Sequence, residues 1–313
     1  MNNPLEDFLA LRPSLVLDGA LATELERRGA NLQDPLWSAK CLIEQPELIR
    51  AVHLDYFRAG ADVATTATYQ ASFESFARRG MERAAAAQLM RDAVALAAAA
   101  REEFWSLPIN RIGRLRPLIA ASLGPFGAML ADGSEYRGHY AQDERMLREF
   151  HRSRIEVLAA AGADLLAFET IPSLREANIL ARLLGEFPAV GAWISFSCRN
   201  GEQSCEGDDI GDCVAQLQRH PQIVAMGVNC TRPEYITPLL RRMRRGTDKP
   251  LVVYPNSGEC YDAGAKQWSG SRNARQFGEW ARTWHDEGAR MIGGCCRTTP
   301  EDIRDIRQCL DPE

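Results

Sequence analysis

Short runs of apolar, largely β-branched residues punctuate this chain. Each gives way to a polar turn and then to a longer segment with apolar residues at helical spacing. Eight such runs recur, at Ser14–Asp18, Asp62–Thr66, Leu118–Ser122, Leu165–Glu169, Gly191–Ser197, Ile223–Asn229, Leu251–Tyr254 and Arg290–Gly293. Between them, Pro46–Arg58, Arg83–Glu103, Arg145–Ala160, Ser173–Leu184 and Tyr235–Arg244 carry the period of amphipathic helices. The approach to three of the strands also repeats, as AGAD at 59–62 and 161–164 and EGAR at 287–290. Each reads as a helix closed by a glycine at its C′ position before the chain enters a buried strand. Eight alternating units in 313 residues predict a (β/α)8 TIM barrel rather than an open doubly wound sheet. No GxGxxG follows the first strand and no Pro-, Gly- or Ser-rich linker divides the chain, so one domain over residues 1–313 is expected.

In such barrels the chemistry sits at the C-terminal ends of the strands. Those ends read Asp18-Gly19, Thr65-Thr66, Ser122-Leu123-Gly124, Glu169-Thr170, Ser195–Cys198, Asn229-Cys230, Pro255-Asn256 and Gly293-Gly294-Cys295-Cys296. Carboxylates, hydroxyls, amides and thiols thus converge on one rim.

Composition narrows the partners. A formal charge of −5 provides no basic field for nucleic acid or an anionic membrane, so small neutral or zwitterionic partners are expected. No apolar run reaches the roughly 20 residues of a membrane span. The opening MNNPLEDFLALRP lacks the basic and apolar regions of a secretory signal, which sets a cytoplasmic location as the expectation. Nine cysteines, an odd number unevenly spread, do not read as a disulfide framework. Clustered cysteines in a reducing compartment are more often ligands or nucleophiles.

Cys295 and Cys296 are adjacent, and neighbours on a regular strand point to opposite faces, so both can serve one site only where the backbone has left strand geometry. Gly293-Gly294 is expected to supply that freedom through unusual dihedral angles. Cys230 ends the sixth strand and the pair ends the eighth, about 10 Å apart at two strand spacings. Loops leaning over the mouth would then have to satisfy zinc–sulfur bonds of about 2.3 Å. Three thiolates leave one coordination position open, the mark of a catalytic rather than a structural zinc. Cys41, Cys198, Cys205, Cys213, Cys260 and Cys309 are assigned to packing. The five histidines form no spaced metal pair, and the RRMRR run at 241–245 reads as a helix end favoured by the dipole.

LDGALATELERRG at 17–29, SLGPFGAMLADGSEYRGHY at 122–140, FETIPS at 168–173, GVNCT at 227–231, VVYPNSGECYD at 252–262 and IGGCCRTTPEDI at 292–303 span nearly the whole chain. In content and order they resemble the homocysteine S-methyltransferase family, and the likeness is greatest to short, single-domain members that use S-methylmethionine. The resemblance implies Zn²⁺ held by Cys230, Cys295 and Cys296. It implies Asp18 and Glu169 on the amino group of homocysteine, and backbone groups at Ala20 and Leu21 on its carboxylate. Where betaine-using relatives carry DGG and a tyrosine after the strand-four glutamate, this chain has Gly19-Ala20 and Thr170. That departure argues against betaine, and it makes water or the Asn229 side chain the candidates for zinc's fourth ligand.

A free thiol is only about three per cent thiolate at pH 7, and coordination to zinc deprotonates it. A sulfonium donor, S-methylmethionine or S-adenosylmethionine, releases a neutral thioether, so no acid–base residue is expected. The segment from Gly124 to Tyr140 is expected to act as a lid over the donor, with Phe126 and Tyr136 offering aromatic faces to a cation. Thr66, Asn256 and Trp268 are further candidates for substrate contact. The rival readings are a glycoside hydrolase using Asp18 and Glu169 as its carboxylate pair, a non-enzymatic zinc or thiol store, and the same acceptor with betaine or methylcobalamin as donor.

Overall fold

The eight apolar runs all form strands, and all are parallel. They are β1 (Leu15–Val16), β2 (Val63–Thr65), β3 (Leu118–Leu123), β4 (Leu165–Ile171), β5 (Ala192–Phe196), β6 (Ile223–Asn229), β7 (Leu251–Tyr254) and β8 (Ala289–Ile292). The computed structural model describes residues 3–32, 38–262, 267–269 and 276–311. In space the strands run β1-β8-β7-β6-β5-β4-β3-β2. The ring closes where the Asp18 N–H donates to Val63 O at 3.0 Å and the Asp62 N–H to Val16 O at 2.6 Å, with Leu17 bridged to Val63. Pairing is in register through Leu15 with Met291, Val63 with Leu118 and Met226 with Leu251. The architecture is the expected (β/α)8 barrel.

Strands buried on both faces need no polar alternation, and every residue of β4 and β6 is buried. On β3, Ala120 joins the barrel interior with Leu17, Val63, Leu165, Ala167, Trp193, Val252 and Met291. Its neighbours Ile119 and Ala121 face the outer core beneath the helices, the period of two that a pleated strand imposes. Small residues at 120, 167 and 225 leave the interior room for Trp193 and Tyr254.

The five predicted helices form as Pro46–Ala59, Arg83–Ser106, Glu144–Ala159, Leu174–Leu184 and Pro233–Met243. Gly60, Gly162 and Gly288 close the repeated approaches at φ of 118°, 87° and 99°, the left-handed region in which a side chain is strained. Two features were not legible beforehand. Pro4–Leu11 forms a helix, capped where Asn3 Oδ1 accepts the Leu5 N–H at 3.2 Å, and its Leu5 and Phe8 plug the barrel floor. The segment 124–140 is not a loose flap either. It holds a helix at Phe126–Leu130 and a 3-10 turn at Ser134–Tyr136, and Phe126, Ser134 and Glu135 are buried. After β7 the backbone forms a two-stranded hairpin, Cys260–Asp262 with Gln267–Ser269. Among the described residues no helix is long and apolar enough to cross a membrane.

Candidate metal and substrate site

Three thiols meet at the C-terminal mouth of the barrel. Cys230 Sγ lies 3.1 Å from Cys295 Sγ and 3.4 Å from Cys296 Sγ, and the ligand atoms of all three lie within 4.8 Å of one another. A disulfide would bring two sulfurs to about 2.05 Å, whereas two ligands of a tetrahedral zinc with 2.3 Å bonds lie about 3.8 Å apart. The observed spacing is nearer to that of a shared metal than to that of a cross-link. No histidine or carboxylate completes the group among the described residues. Hydrogen bonds from Cys295 and Cys296 hold the Cys230 thiol well below the ordinary range. Their bonds to Cys230, with burial, push the other two well above it. A dication held by the three sulfurs would favour the thiolate form of all of them.

The backbone brings the sulfurs together differently from the expectation. Gly293 and Gly294 are not in the left-handed region; Cys230 is, at φ 47°, as is Arg297 at 68°. What demands glycine is space. A Cβ on Gly293 would lie 2.6 Å from the Leu17 Cβ, and one on Gly294 would lie 2.3 Å from Thr298 Oγ1. Past β8 the chain turns, with the Cys295 N–H on Pro255 O at 2.8 Å and Thr298 Oγ1 donating to Cys295 O at 2.6 Å, which turns both thiols inward.

Across the mouth stand Asp18 and Glu169, each tied to a hydroxyl from the neighbouring strand. The Thr65 N–H and hydroxyl donate to Asp18 at 2.8 and 2.9 Å. The Ser122 hydroxyl donates to Glu169, and Tyr254 supports the same carboxylate. Burial, reinforced by the charge of Glu169, pushes Asp18 up to about 8 against the hydrogen bonds from Thr65. Burial pushes Glu169 up to about 7 against those from Ser122 and Tyr254. Two carboxylates that resist ionising side by side are poised to receive a cation.

One cavity of about 220 Å³ joins both groups. Its lining includes Asp18, Ala20, Leu21, Thr66, Tyr136, Glu169, Asn229, Cys230, Cys295 and Cys296. The Ala20 N–H is committed to Thr298 Oγ1 at 3.2 Å, which leaves Leu21 as the stronger backbone candidate of the two. The Tyr136 hydroxyl lies 3.2 Å from Cys230 Sγ. Asn229 does not offer its oxygen to a metal. That atom accepts from the Thr170 N–H at 2.7 Å and the Ser195 hydroxyl at 2.8 Å, while the amide nitrogen faces Cys295 Sγ at 3.9 Å. Phe126 and Asn256 lie outside the lining. Phe126 packs against Tyr140 and Phe150, at ring-centroid distances of 5.6 and 5.1 Å, and Asn256 is buried with its N–H on Thr231 O. The side chain of Trp268 falls outside the described residues. Tyr69, Glu135 and Tyr254 reach the site without having been singled out from the sequence, and the strand-end residues Thr65 and Ser122 line it as well.

Of the thiols assigned to packing, Cys41, Cys198 and Cys213 are buried, and burial raises each of them; Cys205 and Cys309 are half-buried, and the side chain of Cys260 falls outside the described residues. In the basic run, Arg241 pairs with Glu287, and Arg242 with Glu202 and Asp209.

Comparison with known proteins gives a consistent picture. The sequence profile of the family described as homocysteine S-methyltransferase matches residues 15–310. Homocysteine S-methyltransferase YbgG of Bacillus subtilis (strain 168) is 56% identical over 304 residues, covering 97% of this chain and 96% of the relative. Homocysteine S-methyltransferase of Escherichia coli (strain K12) is 50% identical over 307 residues, covering 98% of each. Among solved structures, the metallated form of the homocysteine methyltransferase MmuM from Escherichia coli superposes with a TM-score of 0.88 at 47% identity, covering 97% of this chain and 99% of that one.

Proposed function

We propose that this chain, which belongs to the homocysteine S-methyltransferase family and transfers a methyl group to homocysteine, takes that group from S-methylmethionine and uses zinc to ready the acceptor. One observation carries the reading: three convergent thiols and two buried carboxylates share a single cavity at the barrel mouth. The thiols suit a soft metal and the carboxylates suit an ammonium group.

Cys230, Cys295 and Cys296 would hold the zinc, a set of three sulfur ligands that leaves a position for a substrate thiol. When bound, zinc keeps a coordinated thiol deprotonated at neutral pH. Asp18 and Glu169 bind the ammonium of homocysteine, whose charge offsets the burial that otherwise raises both carboxyls. Thr65 and Ser122 fix the orientation of that pair. The backbone at Leu21 is within the cavity to meet the substrate carboxylate.

The acceptor thiol loses its proton to solvent, and its sulfur attacks the methyl carbon of the sulfonium. One carbon–sulfur bond forms as another breaks, and the electron pair leaves on the donor sulfur. Homocysteine and S-methylmethionine thus yield two molecules of methionine and one proton. The leaving group is neutral, which is why no general acid is needed at the site. Charge is dispersed as an anionic sulfur meets a cationic donor, so a cavity that excludes water favours the reaction. S-Adenosylmethionine, also a sulfonium, suits the same chemistry.

The test is direct. Purified protein with zinc, homocysteine and S-methylmethionine is expected to form methionine faster than it does with S-adenosylmethionine or betaine as donor. No product from S-methylmethionine at any protein concentration would overturn the donor assignment.

A further inference from the structure

The cavity is unusually one-sided in charge. Four carboxylates line it, from Asp18, Glu26, Glu135 and Glu169, together with the three thiols. Among the described residues no lysine, arginine or histidine lines it. The metal answers the thiols, and the ammonium of homocysteine answers Asp18 and Glu169. Glu26 is exposed and feels the charge of Arg297, whereas Glu135 is buried and has no hydrogen-bond partner for its Oε2 among the described residues.

Glu135 sits in the 3-10 turn Ser134–Tyr136 of the segment that covers the mouth. The Ser197 hydroxyl, donating to Glu135 O at 3.0 Å, pins its backbone. The residue is 8% exposed, and its Oε2 is buried with no hydrogen-bond partner among the described residues. The nearby Arg137 guanidinium is engaged elsewhere, on Asp132 O and the Ser134 hydroxyl at 3.1 and 3.2 Å. A buried acceptor left unpaired is destabilising, and a site that keeps one gains when a ligand supplies the partner.

Position selects that ligand. The adjacent residue, Tyr136, touches Cys230 Sγ with its hydroxyl at 3.2 Å, so Glu135 stands beside the sulfur cluster rather than out at the rim. The acceptor sulfur must lie at that cluster, and the methyl-bearing centre must come up against it. Two tyrosines, Tyr69 and Tyr136, line the same part of the cavity. From this arrangement we infer that Glu135 binds the positive charge of the methyl donor and makes the site select a sulfonium over a neutral thioether. The inference rests on the cationic donor proposed above and adds the residue that recognises it.

A kinetic signature follows. The donor's charge disappears as its methyl leaves, so a carboxylate beside it holds the bound donor more firmly than the transition state. Glu135→Gln keeps the shape and removes the charge. Its KM for S-methylmethionine is expected to rise about tenfold or more while kcat stays level or rises by less than about threefold. The KM for homocysteine and the zinc content should stay at wild-type values. Calorimetry without homocysteine supplies a second readout: wild type should bind S-methylmethionine more tightly than methionine, Glu135→Gln should lose that preference, and Glu135→Asp should regain part of it.

An unchanged donor KM in Glu135→Gln, or an equal rise in the KM for homocysteine, overturns the inference. If Glu135→Gln does not fold, Glu135→Asp decides through the same binding ratio, which must fall below that of wild type. If wild type transfers no methyl from S-methylmethionine, the donor assignment fails separately. The preference for S-adenosylmethionine over S-adenosylhomocysteine, and its loss in the variant, then still tests Glu135.

Discussion

Thr170 adopts φ 61°, a conformation that a β-branched residue reaches only under constraint. The constraint is Asn229, whose side-chain oxygen accepts the Thr170 N–H at 2.7 Å and whose amide nitrogen donates to Thr170 Oγ1 at 2.8 Å. The strain falls between Glu169 and Cys230, at the point where β4 loses register with β5, and it aims both strand ends into the cavity. The candidate residues that meet in the cavity were legible in the sequence, because Asp18, Glu169 and the cysteines sit in long, distinctive segments. Thr65 and Ser122 were legible as strand-end residues, but not as the partners of those carboxylates. Each lies 47 residues from the carboxylate it supports, and only adjacent strands bring them together. At this scale the metal site is open to a simple test. Cys230→Ser, Cys295→Ser and Cys296→Ser are each expected to lose bound zinc and to lower activity more than about a hundredfold, since removing even outer-sphere support costs ten- to a hundredfold. Stoichiometric zinc in any one variant, measured by elemental analysis, counts against three-sulfur ligation.

Among elements, the turn after β8 shows why pattern reading identified the glycines and misjudged their purpose. Gly293 and Gly294 stood out as freedom to bend, yet the structure requires them for close approach to Leu17 and Thr298. A dihedral requirement and a space requirement look alike in a sequence, and only the neighbours separate them. Thr298 Oγ1 accepts the Ala20 N–H and donates to Cys295 O, so it links the first and last strand ends. A Cβ on Gly294 would displace it. Gly294→Ala is therefore expected to weaken zinc binding at least about tenfold while lowering the unfolding temperature by only a few degrees, on the order of 1–3 kcal/mol of local overpacking. A chelator competition and a thermal melt read the two effects apart, and unchanged zinc affinity would show that the turn tolerates the methyl group. The covering segment 124–140 taught a similar lesson. Its aromatics were legible as a group, but Phe126 was assigned to the ligand when its ring belongs to the core.

Across the whole molecule the active mouth is bought at a cost in stability. Asp18 is pushed up to about 8 and Glu169 to about 7 by burial in a cavity that no basic side chain lines among the described residues. In the unfolded chain both ionise near their ordinary values of 3.8 and 4.5, so through the intervening window the folded state binds more protons. The stability they contribute is present at low pH and is lost as pH rises toward 8. Metal-free protein without substrate is expected to unfold at progressively lower temperature between about pH 5 and pH 8, apart from other titrations, and Asp18→Asn with Glu169→Gln should flatten that slope. A slope of the same size in the double variant would separate these carboxylates from the effect. Homocysteine should reverse the trend, because its ammonium favours the ionised pair.

The sequence by itself determined the barrel, the positions of its eight strands and five of its helices, and the cysteines, aspartate and glutamate proposed above as the site. Those features are local: apolar period, glycine at helix ends, and contiguous segments around each strand end. Tertiary structure alone decided which hydroxyls orient the carboxylates, that the Asn229 oxygen is already used, that the N-terminal helix plugs the floor, and that the buried Oε2 of Glu135 has no hydrogen-bond partner among the described residues. Each depends on residues brought together from different strands and loops, where burial and the absence of a neutralising neighbour set the chemistry. No pattern along the chain records that absence.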